Sequence, residues 1–269
     1  MVLKRLVVIM FLLSITLFAE VEDKWKVSVG GMKVLNFETD MQIGNKDIPL
    51  GAKINTADQL GLETDTMVFR FDGYYRFNEK HSVEASYFSV KSDVHRESSN
   101  DIVWDDYDIS AGSNVDIYFN MDIFKVNYGY SFYHNDDIEL MLTAGLHITR
   151  IDLGLSAQGT INGEDGDITS VGADVTAPLP MVGFKGEYTI FPKELFITYK
   201  ANIFYLAFSD YVGSLISSNL NLEYRVTEHI GLGLGLDSNV IYVESDDGDN
   251  KLEVENRLTG LMFFMSYVY

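Results

Sequence analysis

Without a cysteine, hydrolytic chemistry in this chain would have to come from histidine, hydroxyl and carboxylate groups, and few sets of these are close in sequence. His95 lies near Asp93, Asp101 and Asp105, a set that could activate water if the fold gathered it at one rim. A solvated acidic loop that holds a histidine accounts for the same residues more simply. His81 and Ser82 are adjacent, so on a strand they point to opposite faces and cannot share a proton. His147 has Thr149 on its own face and no serine, which suits a hydrogen-bond partner better than a base. His134 and His229 read as turn residues. The segments "EDGDIT" (Glu164 to Thr169) and "SDDGDNKLE" (Ser245 to Glu253) offer carboxylates and a turn glycine, the oxygen ligands calcium prefers. Neither has the spacing of a full calcium loop. Divalent cations are therefore expected only as weak partners of acidic loops. The sequence points to no catalytic residue, resident metal or cofactor.

The elements that would carry these residues alternate with period two. In "MVFRFDGYYRF" the face Met67, Phe69, Phe71, Gly73, Tyr75 and Phe77 opposes Val68, Arg70, Asp72, Tyr74 and Arg76. "IELMLTAGLHI", "LFITYKANIFY", "NLNLEYRV" and "IGLGLGLD" repeat the pattern, which is that of β-strands. About ten strands are predicted, over 24–38, 64–78, 81–95, 114–133, 138–157, 171–191, 194–209, 213–226, 229–245 and 251–269; eight or twelve are the alternatives. Tight connections at Asn78–Lys80, His134–Asp137, Pro192–Lys193 and Thr227–Glu228 alternate with long ones at 39–63, 96–113 and 158–170, and shorter polar ones at Asp210 and "SDDGDN".

Composition narrows the class. Lys4 and Arg5 precede an apolar stretch from Leu6 to Phe18 and a small residue at Ala19, the pattern of a cleaved secretory signal. Residues 1–19 are thus expected to be a signal peptide, and 20–269 one domain. Removing Lys4 and Arg5 from the 20 basic residues leaves 18 against 40 acidic ones, a formal charge of −22 that disfavours nucleic acid as a partner. After the signal no apolar run reaches the roughly 18 residues of a membrane helix.

Charge is not spread evenly. The polar faces of the predicted strands carry Arg70, Arg76, Lys125, Lys185, Lys200 and Arg225 against Asp72, Glu84, Glu139, Glu187, Glu223 and Asp237. Six against six, in so acidic a chain, is what a confined lumen requires, because enclosed charges must pair. The surplus acid is assigned to loops, at Asp101, Asp105, Asp106, Asp108, Glu164, Asp165, Asp167, Asp246, Asp247 and Asp249. The apolar faces hold Tyr75, Phe77, Tyr128, Tyr130, Phe132, Tyr188, Tyr224, Tyr267 and Tyr269 beside the tight turns, where an interfacial aromatic girdle belongs. In strands four and five the apolar face switches, from Val115–Ile123 on odd positions to Phe124–Phe132 on even ones, and again between Ile148 and Ile151. A β-bulge is predicted at each switch. Gly231, Gly233 and Gly235 leave one wall bare, enough for a thin water path. Pro178 and Pro180 fit a rim where pairing is one-sided.

The signal peptide, the alternating strands, turns such as "YRFNEKHSVEASY" and "EYRVTEHIGLGLG", and the final "FFMSYVY" together resemble small bacterial outer-membrane β-barrels of the OmpA- and OmpW-like kind. The resemblance implies an all-β, antiparallel up-and-down transmembrane barrel with short periplasmic turns and long acidic extracellular loops. It also implies that Phe263, Met265, Tyr267 and Tyr269 form an assembly signal read by the barrel-assembly machinery. Lipid and lipopolysaccharide of the cell outer membrane would be the surrounding partners. The function expected is structural, interactive or that of a narrow passive channel whose lumen is filled by paired charges, without enzymatic activity. The alternative is a membrane-embedded hydrolase, an omptin-type protease using His95 or a lipid deacylase.

Overall fold

A computed structural model of the chain describes residues 23–45, 54–55, 67–99, 101–104, 107–209, 211–246 and 250–269. The signal segment 1–19, Asp105, Asp106, Asp247 and Asp249 lie outside the described residues. Thirteen strands form one antiparallel sheet: β1 Trp25–Asn45, β2 Ile54–Asn55, β3 Met67–Asn78, β4 His81–Glu97, β5 Ile102–Trp104, β6 Tyr107–Ile109 and β7 Asn114–His134, then β8 Ile138–Ile161, β9 Glu164–Phe191, β10 Leu195–Phe208, β11 Tyr211–Arg225, β12 Ile230–Asp246 and β13 Asn250–Val268. Ten of them pair each with its neighbours, and the ring closes because β1 pairs with β13 on one side and β3 on the other. The other three are short additions at the long-loop end, β2 on β1 and the β5–β6 hairpin on β8. All ten predicted barrel strands are present.

Strand lengths correct the reading of the loops. The segment 158–170 is not a loop: β8 and β9 continue as a ladder to Ile161↔Glu164. Asn162 and Gly163 close it, with φ of 52° and 81°. Two consecutive positive φ values are what a two-residue type I′ hairpin turn demands, and Asn-Gly is its preferred pair. Glu164, Asp165 and Asp167 therefore stand exposed on a strand extension.

The predicted bulges at the polarity switches are also absent. β4 and β7 keep one register from His81↔Tyr130 to Glu97↔Asn114, and β7 and β8 keep theirs from Asn114↔Gln158 to Ser131↔Met141. The side chains do not change sides; the apolar residues do. In β7 the odd positions face inward throughout, as Val115, Ile117, Phe119, Met121, Ile123 and then Lys125. Bulges do occur in β1 between Val34 and Asn36, in β8–β9 near Leu155, and close to three of the turns.

The result is a barrel with two halves of opposite polarity. In the short-turn half the outer wall is apolar and exposed, with Leu142, Val182, Leu222, Leu234 and Met265 among its residues. In the long-loop half the interior is apolar, with Met32, Phe37, Phe88, Phe119, Met121, Ile123 and Leu155 nearly inaccessible. A second cluster there joins Leu179 and Met181 of β9 to Leu215, Ile241 and Val243. β9 pairs with β10 only up to Val182↔Ile203, so Pro178 and Pro180 sit where the strand pairs on one side, with β8. A residue without an N–H is tolerated on such an edge.

Candidate functional site

All twelve of the charged residues singled out on the polar faces line a single cavity of about 230 Å³ in the short-turn half. Each is placed there by strand alternation, since it occupies the face opposite the exposed apolar residues. The cavity reaches the short-turn end at His134, Asn135, Asp136 and Asp137, and toward the other end no residue beyond Lys125 on β7 or Met262 on β13 lines it. From there the apolar interior takes over.

The charges are paired in clusters. Arg76 grips Glu139 with two parallel hydrogen bonds, at 2.8 and 2.6 Å. Arg70 donates to Asp72 and, at 2.9 Å, to Asp237. Glu84 accepts from both Lys185 at 2.6 Å and Lys200 at 2.5 Å. Glu223 binds Lys26, and Arg225 binds Asp23. Neither Lys26 nor Asp23 stands out in the sequence on charge balance alone. The signal was there for Lys26: it alternates with Trp25 and Val27 at the start of β1.

Two of the twelve have no charged partner within 4 Å among the described residues. Lys125 donates instead to Ser217 Oγ at 3.2 Å and Asn239 Oδ1 at 2.6 Å, and Glu187 accepts from Thr198 Oγ1. Rings complete the walls: Lys185 and Arg76 lie over Tyr74, and Arg225 over Phe196 at 4.6 Å.

The glycine wall of β12 is not bare. A side chain at Gly233 would collide with the Phe264 ring, one at Gly235 with Asn221, and one at Gly231 with Ser266 and Glu223. The glycines make room for bulky neighbours on β11 and β13, so the water path expected along them is filled.

The histidines fall in separate places. His95 faces outward on β4 and pairs with Asp116 on the exposed outer wall rather than with Asp93 or Asp101. His147 is buried beside Lys125 at the boundary of the two halves, with Nε2 2.9 Å from Thr149 Oγ1. His81 stacks on Tyr128 outside while Ser82 points inside. His134 lies 3.5 Å from Glu139, and His229 stacks against Tyr269. Among the described residues no group of three or more His, Asp or Glu is arranged to hold a metal ion. On the outer wall beyond the apolar band, Tyr242 donates to Glu244; burial and the carboxylates of Glu244, Glu253 and Glu255 push its pKa up to about 12.

Phe263, Met265 and Tyr267 share the outward face of β13, paired to both β1 and β12, and Tyr269, just past its end, exchanges backbone hydrogen bonds with Trp25. Trp25 packs against Tyr267 and Tyr269, with ring centroids 5.4 and 6.0 Å apart.

No family model matches the chain, and no curated protein does. Among solved structures, the outer membrane protease OmpT from Escherichia coli superposes with a TM-score of 0.57 at 12% identity, covering 94% of this chain and 99% of that one. The fold is that of an outer-membrane β-barrel. The Pseudomonas putida toluene transporter TodX (TM-score 0.37, 9% identity, 93% and 91% covered) and Neisserial surface protein A (0.30, 11%, 93% and 100%) are more distant. At 12% identity the likeness to OmpT is one of fold alone.

Proposed function

We propose that this chain is an integral outer-membrane barrel that does not conduct and does not catalyse, serving a structural or surface-interaction role. The observation that carries this reading is the inversion of polarity along the barrel. An exposed wall bearing residues such as Ile216, 61% exposed, and Leu142, 56% exposed, is tolerable only against lipid. The aromatic residues at the short-turn end suit the membrane interface, and a reversed pattern beyond the band suits water outside and a packed core inside. That core closes the charged lumen, and with it any direct path for ions.

On this reading the segment 1–19 directs export and is removed, the short turns face the periplasm, and the β5–β6 and β8–β9 hairpins stand outside the cell. Phe263, Met265, Tyr267 and Tyr269 serve the assembly machinery. Lipid and lipopolysaccharide surround the band, and the exposed acidic residues beyond it meet divalent cations only weakly. The His95–Asp116 pair is a surface contact. The test is electrical. Purified barrel inserted in planar bilayers should add no steady conductance, while replacing Met121 and Ile123 together by serine should give measurable current. Steady single-channel steps from the unaltered protein would mean that the core is not a seal, and would favour a narrow passive channel.

A further inference from the structure

The cavity has a direction. At its inner end lie Arg70, Lys125, Lys185 and Lys200 against Asp72, Glu84 and Asp237, an excess of one positive charge. Nearer the mouth the balance reverses. Lys26, Arg76 and Arg225 are each matched by a carboxylate, and Glu187, Asp136 and Asp137 have no cation within 4 Å among the described residues. The inner excess has a specific address. Lys125 is 6% exposed, borders the cavity and is held by two neutral groups, Ser217 and Asn239. Asp237, which accepts from Asn239, also accepts from Arg70 and is thus shared between two enclosed cations, so this end keeps a surplus positive charge and attracts an anion, because an uncompensated buried charge is costly. Carboxylates around a mouth draw in the opposite charge. Between the two ends the wall carries Tyr74 and Phe264, surfaces against which a short hydrocarbon chain can lie.

We infer that the lumen is a blind binding site, entered from the short-turn end, for a small zwitterion whose anionic head meets Lys125 and whose cationic end meets Glu187 and the mouth aspartates. The inference rests on the sealed outer end proposed above, which makes the cavity a pocket rather than a passage. At about 230 Å³ the cavity has room for only a few molecules of water, each taking roughly 30 Å³ in the bulk liquid. That excludes large solutes and suits a compound of the size of an ω-amino acid.

The probe is 5-aminopentanoate, which carries a carboxylate and an ammonium on a short chain. Pentanoate and pentylammonium keep one charge each. Calorimetry on the whole folded barrel in a non-ionic detergent should show saturable binding of the zwitterion, and at least about tenfold weaker binding of either singly charged compound. Glu187→Gln and Lys125→Met should each weaken binding of the zwitterion by a similar factor. Because Lys125 is buried and its replacement can disturb folding, the comparison of three compounds on the unaltered protein stands as a test without it. Equal binding of all three compounds, no binding of the zwitterion, or undiminished binding by Glu187→Gln would overturn the inference. Bilayer conductance reports separately on the seal, so an open barrel that still discriminates the zwitterion would refute the sealing and leave the binding site standing.

Discussion

The two halves of this barrel solve opposite problems with the same strands. Adjacent residues on β7 show the contrast: Asp122 faces outward and Ile123 is buried inward, while two residues further toward the short turn Phe124 faces outward and Lys125 inward. The ladder runs through without a change of register. On the membrane placement proposed above, what changes is the solvent. Where the outside is water, hydrophobic burial drives the apolar residues inside, as in any soluble domain. Where the outside is lipid there is no such drive, and polar groups gather in the lumen, where they can satisfy one another. Strand alternation is indifferent to which face is apolar, so one continuous hairpin can serve both halves.

The comparison would be broken most severely by importing one half's chemistry into the other. Ile123→Asp puts in the packed core a charge of the kind its neighbour Asp122 carries outside. An unpaired buried charge has no compensation there, and the loss should be at least about 4 kcal/mol, enough to prevent recovery of folded barrel. Heat-modifiable migration on gels would show it, and a normally folded Ile123→Asp barrel would mean that the interior beyond the band is wet.

In the charged half, Arg76→Met strands Glu139, which is 5% exposed and held by both of its oxygens. Breaking a buried pair by removing one partner costs roughly 3–5 kcal/mol. Replacing both, Arg76→Met with Glu139→Leu, should restore most of the loss, which urea unfolding in lipid can measure. If single and double variants lose equally, packing rather than pairing holds this half together. On the outer wall, Leu234→Arg should cost about 2–4 kcal/mol near the bilayer midplane. The same substitution at Asp122, on the outer face beyond the core, should cost far less. Equal costs would deny that the band faces lipid.

Much of this was legible in the sequence, for a physical reason: alternation is a local property. Each of the ten strands carries its period on its own residues, and so does the choice of face, so the residues that share a polar face can be grouped from the sequence alone. Local reading failed where the sign of the environment changed. Val115–Ile123 and Phe124–Phe132 look like a register slip when one assumes a single apolar face, and only the partner strands show that register is kept. Asn162–Gly163 carries a turn signal of its own, masked in the sequence by the acidic residues around it. Gly231, Gly233 and Gly235 gave no hint of what would fill them, since Phe264, Asn221 and Glu223 lie on other strands. Pairing of Arg225 with Asp23, across 202 positions, was likewise invisible.

The smallest effect is expected at the pair that most resembles chemistry. His95 and Asp116 face each other across β4 and β7 with side chains 75% and 64% exposed. Water competes for both groups, and exposed ion pairs contribute about 0–1 kcal/mol. Among the described residues no lumen residue faces them, because their strands turn them to the outer wall while Val94 and Val115 go inward. His95→Ala should therefore leave unfolding within about 1 kcal/mol of the unaltered protein. It should also leave unchanged any cleavage of a mixed peptide library by the purified barrel in lipopolysaccharide. A measurable cleavage activity that disappears with His95→Ala, while stability holds, would convert this surface pair into a catalytic one and the barrel into a hydrolase.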